Sequence, residues 1–204
     1  KLIDELLART EFGELWAARW GEWLRIRTDT NPEKGTAMKA GWNYYHWLRD
    51  AMVGNLPWDQ LAHQLVTGNG SNFRNPASNY YTMLPQGQLE PGKLSEDTAQ
   101  IFLGVRTQCA MCHNHPFDRW TMDDYYSFSS FFTSVKRKHG SEAREYYTYA
   151  DLNEGPAKHL LDDRPMPHEF LGGGLADVVE KDPRKVLSHW MTNPKNKLFR
   201  ENLA

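Results

Sequence analysis

The sequence lacks the features that define several large classes of protein. Its 204 residues include only two cysteines, too few for the disulfide framework of a small secreted domain. No run of 18 apolar residues occurs, so no segment is predicted to span a membrane. Lysine and arginine (24) do not outnumber aspartate and glutamate (26), which gives no basic excess favouring nucleic acid. The motifs of serine hydrolases, P-loop nucleotide-binding proteins and zinc proteases are missing too.

What the chain does contain is apolar and aromatic material for a folded core. Hydrophobic residues make up 40% of the sequence and aromatic residues 13%, including eight tryptophans. This length and composition predict one sizeable domain, or one domain plus part of another. The first and last residues fall within apparently continuing patterns, so we expect the sequence to be a fragment of a longer polypeptide.

Apolar residues recur at helical spacing along most of the chain. This periodicity predicts a mainly α-helical fold with long irregular loops and little or no β-sheet. The predicted helical stretches are residues 2–7, 12–23, 42–52, 57–66, 125–132 and 183–191, and Asp182-Pro183 is expected to start the last of them. Turn signals at residues 31–35 mark one loop, and residues 69–93, which have no periodicity, predict a longer one. Residues 145–149 are expected to form a short strand. We expect a helical domain over residues 1–150, and a linker with the first helix of a following domain over residues 151–204.

The two cysteines stand three positions apart and are followed directly by a histidine. The segment reads Cys109-Ala110-Met111-Cys112-His113, which is the attachment signature of c-type haem. In that chemistry two thiols each bond one vinyl-derived carbon of the porphyrin, and the adjacent imidazole ligates the iron. The sequence thus predicts one covalent haem c, with Cys109 and Cys112 as attachment residues and His113 as proximal iron ligand.

The periodicity also predicts where this motif lies. Ser95 has the residue type of a helix N-cap, and Pro116 is expected to end the helix that follows. Within that helix both cysteines and His113 would share one face, because they are three or four residues apart. Thr121 and Asp124 then have the spacing of a capping box at the start of the next helix.

Other chemistry remains open for the same residues. A C-x-x-C pair also occurs in thiol-disulfide proteins, although those place a strand just before it. A metal-dependent enzyme or metal-binding module centred on His113, His115 and Asp118 is a second alternative. If a haem is bound instead, His115 and Asp118 are candidates for orienting its ligand His113. Two ordinary cysteines beside a surface histidine are a third.

The residue opposite His113 on a haem iron cannot be chosen from spacing. The candidates among the histidines and methionines outside the motif are His46, His63, His139, His159, His168, His189, Met38, Met52, Met83, Met122, Met166 and Met191. Any one of them has an ordinary structural role as its simpler explanation.

The motif and its surroundings resemble a known family. Residues 102–106, 109–120, 123–126 and 131–132 resemble the planctomycete-type cytochrome-associated domain, a family of unknown function. Residues 44–50 and 56–61 are similar to its upstream helices. Parts of residues 167–200 resemble the start of the partner domain that follows it.

This resemblance implies a large exported protein of the bacterial cell envelope or periplasm, whose signal peptide lies outside this segment. It implies haem at Cys109, Cys112 and His113. With one such haem we expect the domain to transfer electrons, with other redox domains or cytochromes of the same longer polypeptide as partners. It implies no reaction, so whether the chain is an enzyme stays open.

Overall fold

The fold is mainly helical, as predicted. The computed structural model describes residues 1–27, 38–83 and 89–203, so the predicted loop at 31–35 lies outside the described residues. Its helices are α1 Leu2–Leu7, α2 Thr10–Trp23, α3 Met38–Val53, α4 Trp58–Val66, α5 Pro91–Leu103, α6 Met122–Ser129, α7 Pro183–Met191 and α8 Lys197–Leu203. The strands are β1 Gly70–Ser71, β2 Val135–His139 and β3 Tyr146–Ala150. In the described part of the chain, no helix combines the length and apolar character needed to cross a bilayer.

The chain divides into two compact units. The first contains residues 1–88 and 138–148, and the second contains residues 89–137 and 149–204. Residues 89–137 thus fall in the same unit as the C-terminal part of the chain, and the predicted domain boundary at residue 150 stays a prediction. That residues 151–204 begin a following domain stays a prediction.

The first unit is built on close packing of α2 against α3. A Cβ atom added at Gly13 would lie 2.7 Å from a side-chain carbon of Val53, so glycine permits this approach. Ala17 and Trp20 of α2 are buried in this unit, as are Tyr44 and other residues of α3. The aromatic residues of α2 do not form one buried stripe as their spacing allowed. Of the four apolar aromatic positions there, only Trp20 is buried, while Phe12, Trp16 and Trp23 are exposed.

The predicted long loop at residues 69–93 is largely ordered, so that prediction is wrong for the described residues. It contains β1, a 3-10 helix at Pro76–Tyr81 and the first turn of α5, while residues 84–88 lie outside the description. Polar side chains hold it, since Asn79 Nδ2 donates to the Asn72 carbonyl at 2.7 Å and the Tyr81 hydroxyl donates to the Val66 carbonyl. Such side-chain-to-main-chain bonds need no apolar periodicity, which is why the pattern missed them.

A small sheet with strand order β1-β3-β2 confirms the predicted strand near residues 145–149. β1 runs antiparallel to β3, with Gly70 opposite Thr148. Beside this pair lies the buried carboxylate of Glu145, which accepts hydrogen bonds from the Ser71 hydroxyl at 2.5 Å and the Ser141 amide at 3.0 Å. The carboxylate thus links β1 to the turn before β3.

The second unit packs α6 and α8 against α5, and α7 against a 3-10 helix at Ser130–Phe132. The capping box predicted at the start of α6 is confirmed. Thr121 Oγ1 accepts a hydrogen bond from the Asp124 amide, and Asp124 Oδ2 accepts one from the Thr121 amide. α7 starts with Asp182 as N-cap, as Asp-Pro predicts. Phe170 stacks on Phe131 of the 3-10 helix on one side and on Trp190 of α7 on the other, so three rings join these elements.

Candidate functional site at the C-x-x-C-H segment

The cysteine segment lies on a short 3-10 helix, Gln108–Met111, outside α5. α5 ends at Leu103 because Gly104 adopts a left-handed conformation with φ of 66°, after which the Val105 amide bonds back to Ala99. The prediction of one helix from Ser95 through the motif is therefore wrong at both ends. α5 begins at Pro91, and Ser95 lies inside it with its hydroxyl bonded to the Gly92 carbonyl.

Both cysteines are exposed, and neither forms a disulfide. The turn that carries them buries Ala110 completely and leaves Met111 42% exposed. The Ala110 amide is bonded to the Thr107 carbonyl at 2.9 Å, which closes the turn from its N-terminal side. The two thiols are therefore available at the surface of the second unit.

The adjacent His113 is exposed and has one ring nitrogen engaged. Its Nδ1 lies 2.8 Å from the carbonyl oxygen of Asn114. Because only a protonated nitrogen can donate to a carbonyl, this bond assigns the proton to Nδ1 and leaves the lone pair on Nε2. Metal-binding histidines commonly have this arrangement, with the other ring nitrogen donating to a carbonyl.

His115 and Asp118 brace the loop that follows the motif. The His115 amide donates to the Trp120 carbonyl at 2.8 Å, and its Nδ1 accepts from the Phe117 amide at 3.3 Å. Asp118 Oδ1 accepts from the Arg119 amide and Oδ2 accepts from the Trp120 indole at 2.9 Å. Both carboxylate oxygens of Asp118 are thus used within the loop.

The residues of the metal-site alternative do not form a ligand group. Within residues 1–27, 38–83 and 89–203, no three side chains of histidine, cysteine, aspartate or glutamate are placed to hold a metal ion. His113, His115 and Asp118 accordingly serve separate hydrogen bonds in this arrangement. The geometry gives no support to a metal centre made from these three residues.

Tyr126 of α6 contacts the motif directly, which sequence reasoning did not foresee. Its hydroxyl donates to the Met111 carbonyl at 2.9 Å, between the two cysteines. Burial, and the nearby Cys112 thiol in its charged form, raise the pKa of Tyr126, so the phenol stays protonated and able to donate. The Tyr126 ring packs edge-to-face with the ring of the buried His159, and the two ring centroids are 5.2 Å apart. No residue-type signal marks such a bond, because the acceptor is main chain.

His159 is held between two aspartates. Its Nε2 lies 3.3 Å from Asp123 Oδ1 and its Nδ1 lies 3.4 Å from Asp162 Oδ1, and the Leu161 amide also contacts Nδ1 at 3.3 Å. Arg164 pairs with both Asp123 and Asp162. This cluster fixes the ring against which Tyr126 rests.

Beneath the motif, α5 and α6 are joined by a buried polar contact. The Tyr125 hydroxyl donates to Glu96 Oε1 at 2.9 Å, while Glu96 Oε2 pairs with Lys93 at 2.5 Å. Burial and then the Glu96 charge raise the pKa of Tyr125, so this phenol remains a donor. Tyr125 also approaches Gly92, where an added Cβ would lie 2.5 Å from the hydroxyl oxygen.

The candidates for a second iron ligand are divided between the units. His46, His63, His139, Met38, Met52 and Met83 lie in the first unit, and His159, His168, His189, Met122, Met166 and Met191 lie in the second. In the second unit, Met122, Met166, Met191 and His159 are buried. Burial also lowers the pKa of His168, which lies against Phe131. None of these twelve residues is singled out as a ligand.

The family model PSCyt2, described as a protein of unknown function (DUF1549), matches residues 1–137. The chain belongs to the PSCyt2 family. This confirms the resemblance to the planctomycete-type domain, and the matched PSCyt2 region includes the C-x-x-C-H segment. No curated protein and no solved structure matches the chain.

The chemistry of the segment is compatible with a c-type haem. Covalent attachment needs two reduced, accessible thiols, and Cys109 and Cys112 are free and exposed. An axial ligand needs an imidazole nitrogen with a lone pair, which the hydrogen bond of His113 leaves on Nε2. The donor set therefore fits the group, and its role in the PSCyt2 chain stays a prediction.

Proposed function

We propose that this PSCyt2 chain is a c-type haem-binding domain that transfers electrons within a larger exported cell-envelope protein. The observation that carries the proposal is the arrangement of the three motif residues. Two exposed free thiols flank a hydrogen-bonded turn, and the next residue is an exposed imidazole with Nε2 available. A haem in this position supplies a one-electron iron couple.

The chain's own residues have distinct tasks in this proposal. Cys109 and Cys112 would hold the porphyrin by thioether bonds, each formed by adding its S–H across one vinyl group, so that sulfur bonds one vinyl carbon and hydrogen goes to the other. His113 binds the iron through Nε2 while Asn114 holds its other ring nitrogen. Tyr126 keeps the main chain between the two cysteines in place through the Met111 carbonyl.

The location and partners belong to the same proposal. Covalent haem attachment of this type takes place outside the cytoplasm, which agrees with the exported character that the family resemblance implies. The expected electron-transfer partners are other redox domains or cytochromes, in the same polypeptide or beside it.

Expression of the chain in a host that attaches haem outside the cytoplasm tests the proposal. We expect a coloured protein whose denatured mass exceeds that of the polypeptide by one haem, and whose reduced form has a c-type absorption band. The variant Cys109→Ala/Cys112→Ala should be secreted equally well and carry no covalent haem. A colourless protein with the mass of the bare polypeptide, from a host that loads a control cytochrome, would refute the proposal.

A further inference from the structure

The loop that follows the motif is ordered by its own hydrogen bonds. The His115 amide bonds to the Trp120 carbonyl at 2.8 Å, and the Trp120 indole bonds to Asp118 at 2.9 Å. We call residues 115–120 the brace loop. Because its polar groups bond to one another, the backbone directs the remaining side chains outward in a defined arrangement.

One of those side chains is strongly apolar. Phe117 is 94% exposed, more than any other large hydrophobic side chain of the described residues. Its own amide is tied to His115 Nδ1 at 3.3 Å, so the residue belongs to the ordered part of the loop. A single exposed aromatic is unremarkable on a surface, but this one stands four residues after the proposed iron ligand.

A second side chain of the brace loop is an arginine with no carboxylate partner. The Arg119 guanidinium lies over the Trp120 ring, 4.6 Å from the ring centroid. Among the described residues Arg119 makes no ion pair, whereas Arg49, Arg164 and Arg184 each pair with aspartate. Stacking on an indole orients the guanidinium while leaving its donors available for an anion.

We propose that the brace loop contacts the same porphyrin as the C-x-x-C-H segment. In this contact Phe117 packs against the macrocycle and Arg119 pairs with a propionate. Haem offers both chemistries, since it has a flat apolar face and two carboxylates at its edge. A guanidinium matches a carboxylate in charge and geometry. This inference rests on the proposed function and assigns two residues outside the attachment motif.

Non-covalent binding separates this inference from thioether formation. In the variant Cys109→Ala/Cys112→Ala, the probe is ferric protoporphyrin IX, titrated by absorbance and by quenching of tryptophan fluorescence. A second probe is its dimethyl ester, which retains the macrocycle but has no carboxylates. A further His113→Ala substitution should weaken binding of both probes and so define the specific site.

The two loop residues should respond differently. Phe117→Ala should weaken binding of both probes about tenfold, because the apolar contact is common to them. Arg119→Ala should weaken binding of the free acid roughly fivefold and leave the dimethyl ester unchanged. Two surface controls of the same unit, Val179→Ala and Arg200→Ala, should stay within about twofold of the parent, as exposed substitutions usually do.

Several results would overturn the inference. The first is a cysteine-free variant that shows no saturable binding of either probe. The second is a Phe117→Ala variant that binds the probes as tightly as Val179→Ala does. The third is an Arg119→Ala variant whose affinity falls equally for the free acid and the dimethyl ester. None of these touches covalent attachment, which the mass of the wild-type chain reports separately. A bare wild-type mass refutes the proposed function, whereas a loaded wild type with unresponsive loop variants refutes only the brace-loop site.

Discussion

The hydroxyl of Tyr126 donates a hydrogen bond of 2.9 Å to the main-chain carbonyl of Met111, the residue that directly precedes Cys112. Since Met111 belongs to a 3-10 turn of only four residues, this bond to α6 is a strong constraint on the geometry of the thiols. 3-10 hydrogen bonds are poorer than α-helical ones, so the turn depends on external contacts of this kind.

Replacing Tyr126 with phenylalanine should loosen the turn while keeping the ring against His159. We expect faster hydrogen exchange at the amides of residues 110–113 and a loss of about 0.5–1.5 kcal/mol in the free energy of unfolding, the usual net value of one hydrogen bond. Exchange mass spectrometry and urea unfolding measure the two effects.

The matched control is Tyr147→Phe on β3, in the first unit. It removes the same hydroxyl without touching the motif, so the exchange of residues 110–113 should not change. Equal exchange in Tyr126→Phe and wild type would show that the bond to Met111 does not hold the turn.

The helix boundaries on either side of the C-x-x-C-H segment, the end of α5 and the start of α6, differ in how well the sequence predicts them. The start of α6 was predicted because a capping box is made by two residue types three positions apart. The end of α5 was not, because apolar residues continue at helical spacing past Leu103 to Val105. Gly104 was the available signal, since glycine is the usual residue at a left-handed helix end.

The site itself was predictable in part. The C-x-x-C-H spacing identifies Cys109, Cys112 and His113 from sequence alone, but not the turn that presents them. The contacts of Tyr126 and of Glu96 bring together positions 15 and 29 residues apart along the chain. Spacing rules describe neighbours within one helix or strand, so contacts of this kind follow only from the packed structure.

Gly104→Ala should destabilise the second unit. Its φ of 66° is unfavourable for any residue with a Cβ, and that Cβ would lie 2.6 Å from Asn202 Oδ1. We expect a loss of about 1–3 kcal/mol, which urea unfolding measures. Gly155→Ala is the control, because an added Cβ there meets nothing within 4 Å. Equal stability of the two variants would mean that the end of α5 does not require a left-handed residue.

Tyr125→Phe should be more costly than Tyr126→Phe, because its partner is a buried carboxylate. Glu96 is only 5% exposed, and the variant leaves Glu96 Oε1 without its 2.9 Å donor. Hydrogen bonds to charged groups contribute about 1.5–3 kcal/mol, and we expect a loss of this size in the free energy of unfolding. Tyr45→Phe on α3, which is half-buried, should change stability by less than about 0.5 kcal/mol.

An independent check uses the phenol itself. Because burial and the Glu96 charge raise the pKa of Tyr125, absorbance titration of the folded wild type should leave Tyr125 protonated where the exposed tyrosines ionise, as it should the fully buried Tyr44, whose pKa burial also raises. The number of phenols that stay protonated in this range should be smaller by one in Tyr125→Phe than in wild type. A wild type in which every tyrosine ionises together before unfolding would contradict the buried contact.

Glu145 should make the stability of the first unit depend on acid pH. The hydrogen bond from Ser71 is the largest influence that lowers the pKa of Glu145, to about 2 from an ordinary 4.5; donors at Ser141 and Glu142 add to it, against the opposing effect of burial. Because the folded pKa is below the unfolded one, the stabilisation is complete above about pH 4.5 and is lost as pH falls towards 2. Glu145→Gln should therefore be less stable than wild type at neutral pH, and the difference should shrink across this window.

The neighbouring Glu142→Gln variant separates this effect from general acid sensitivity. Glu142 is an exposed residue of the same turn whose carboxylate pairs with Lys39 at 2.9 Å, and surface pairs of this type contribute little. Its unfolding free energy should follow the wild-type pH profile, while that of Glu145→Gln should be flatter between pH 4.5 and 2. Parallel profiles for all three proteins would contradict a lowered pKa at Glu145, because a carboxylate with the same pKa in both states adds no slope.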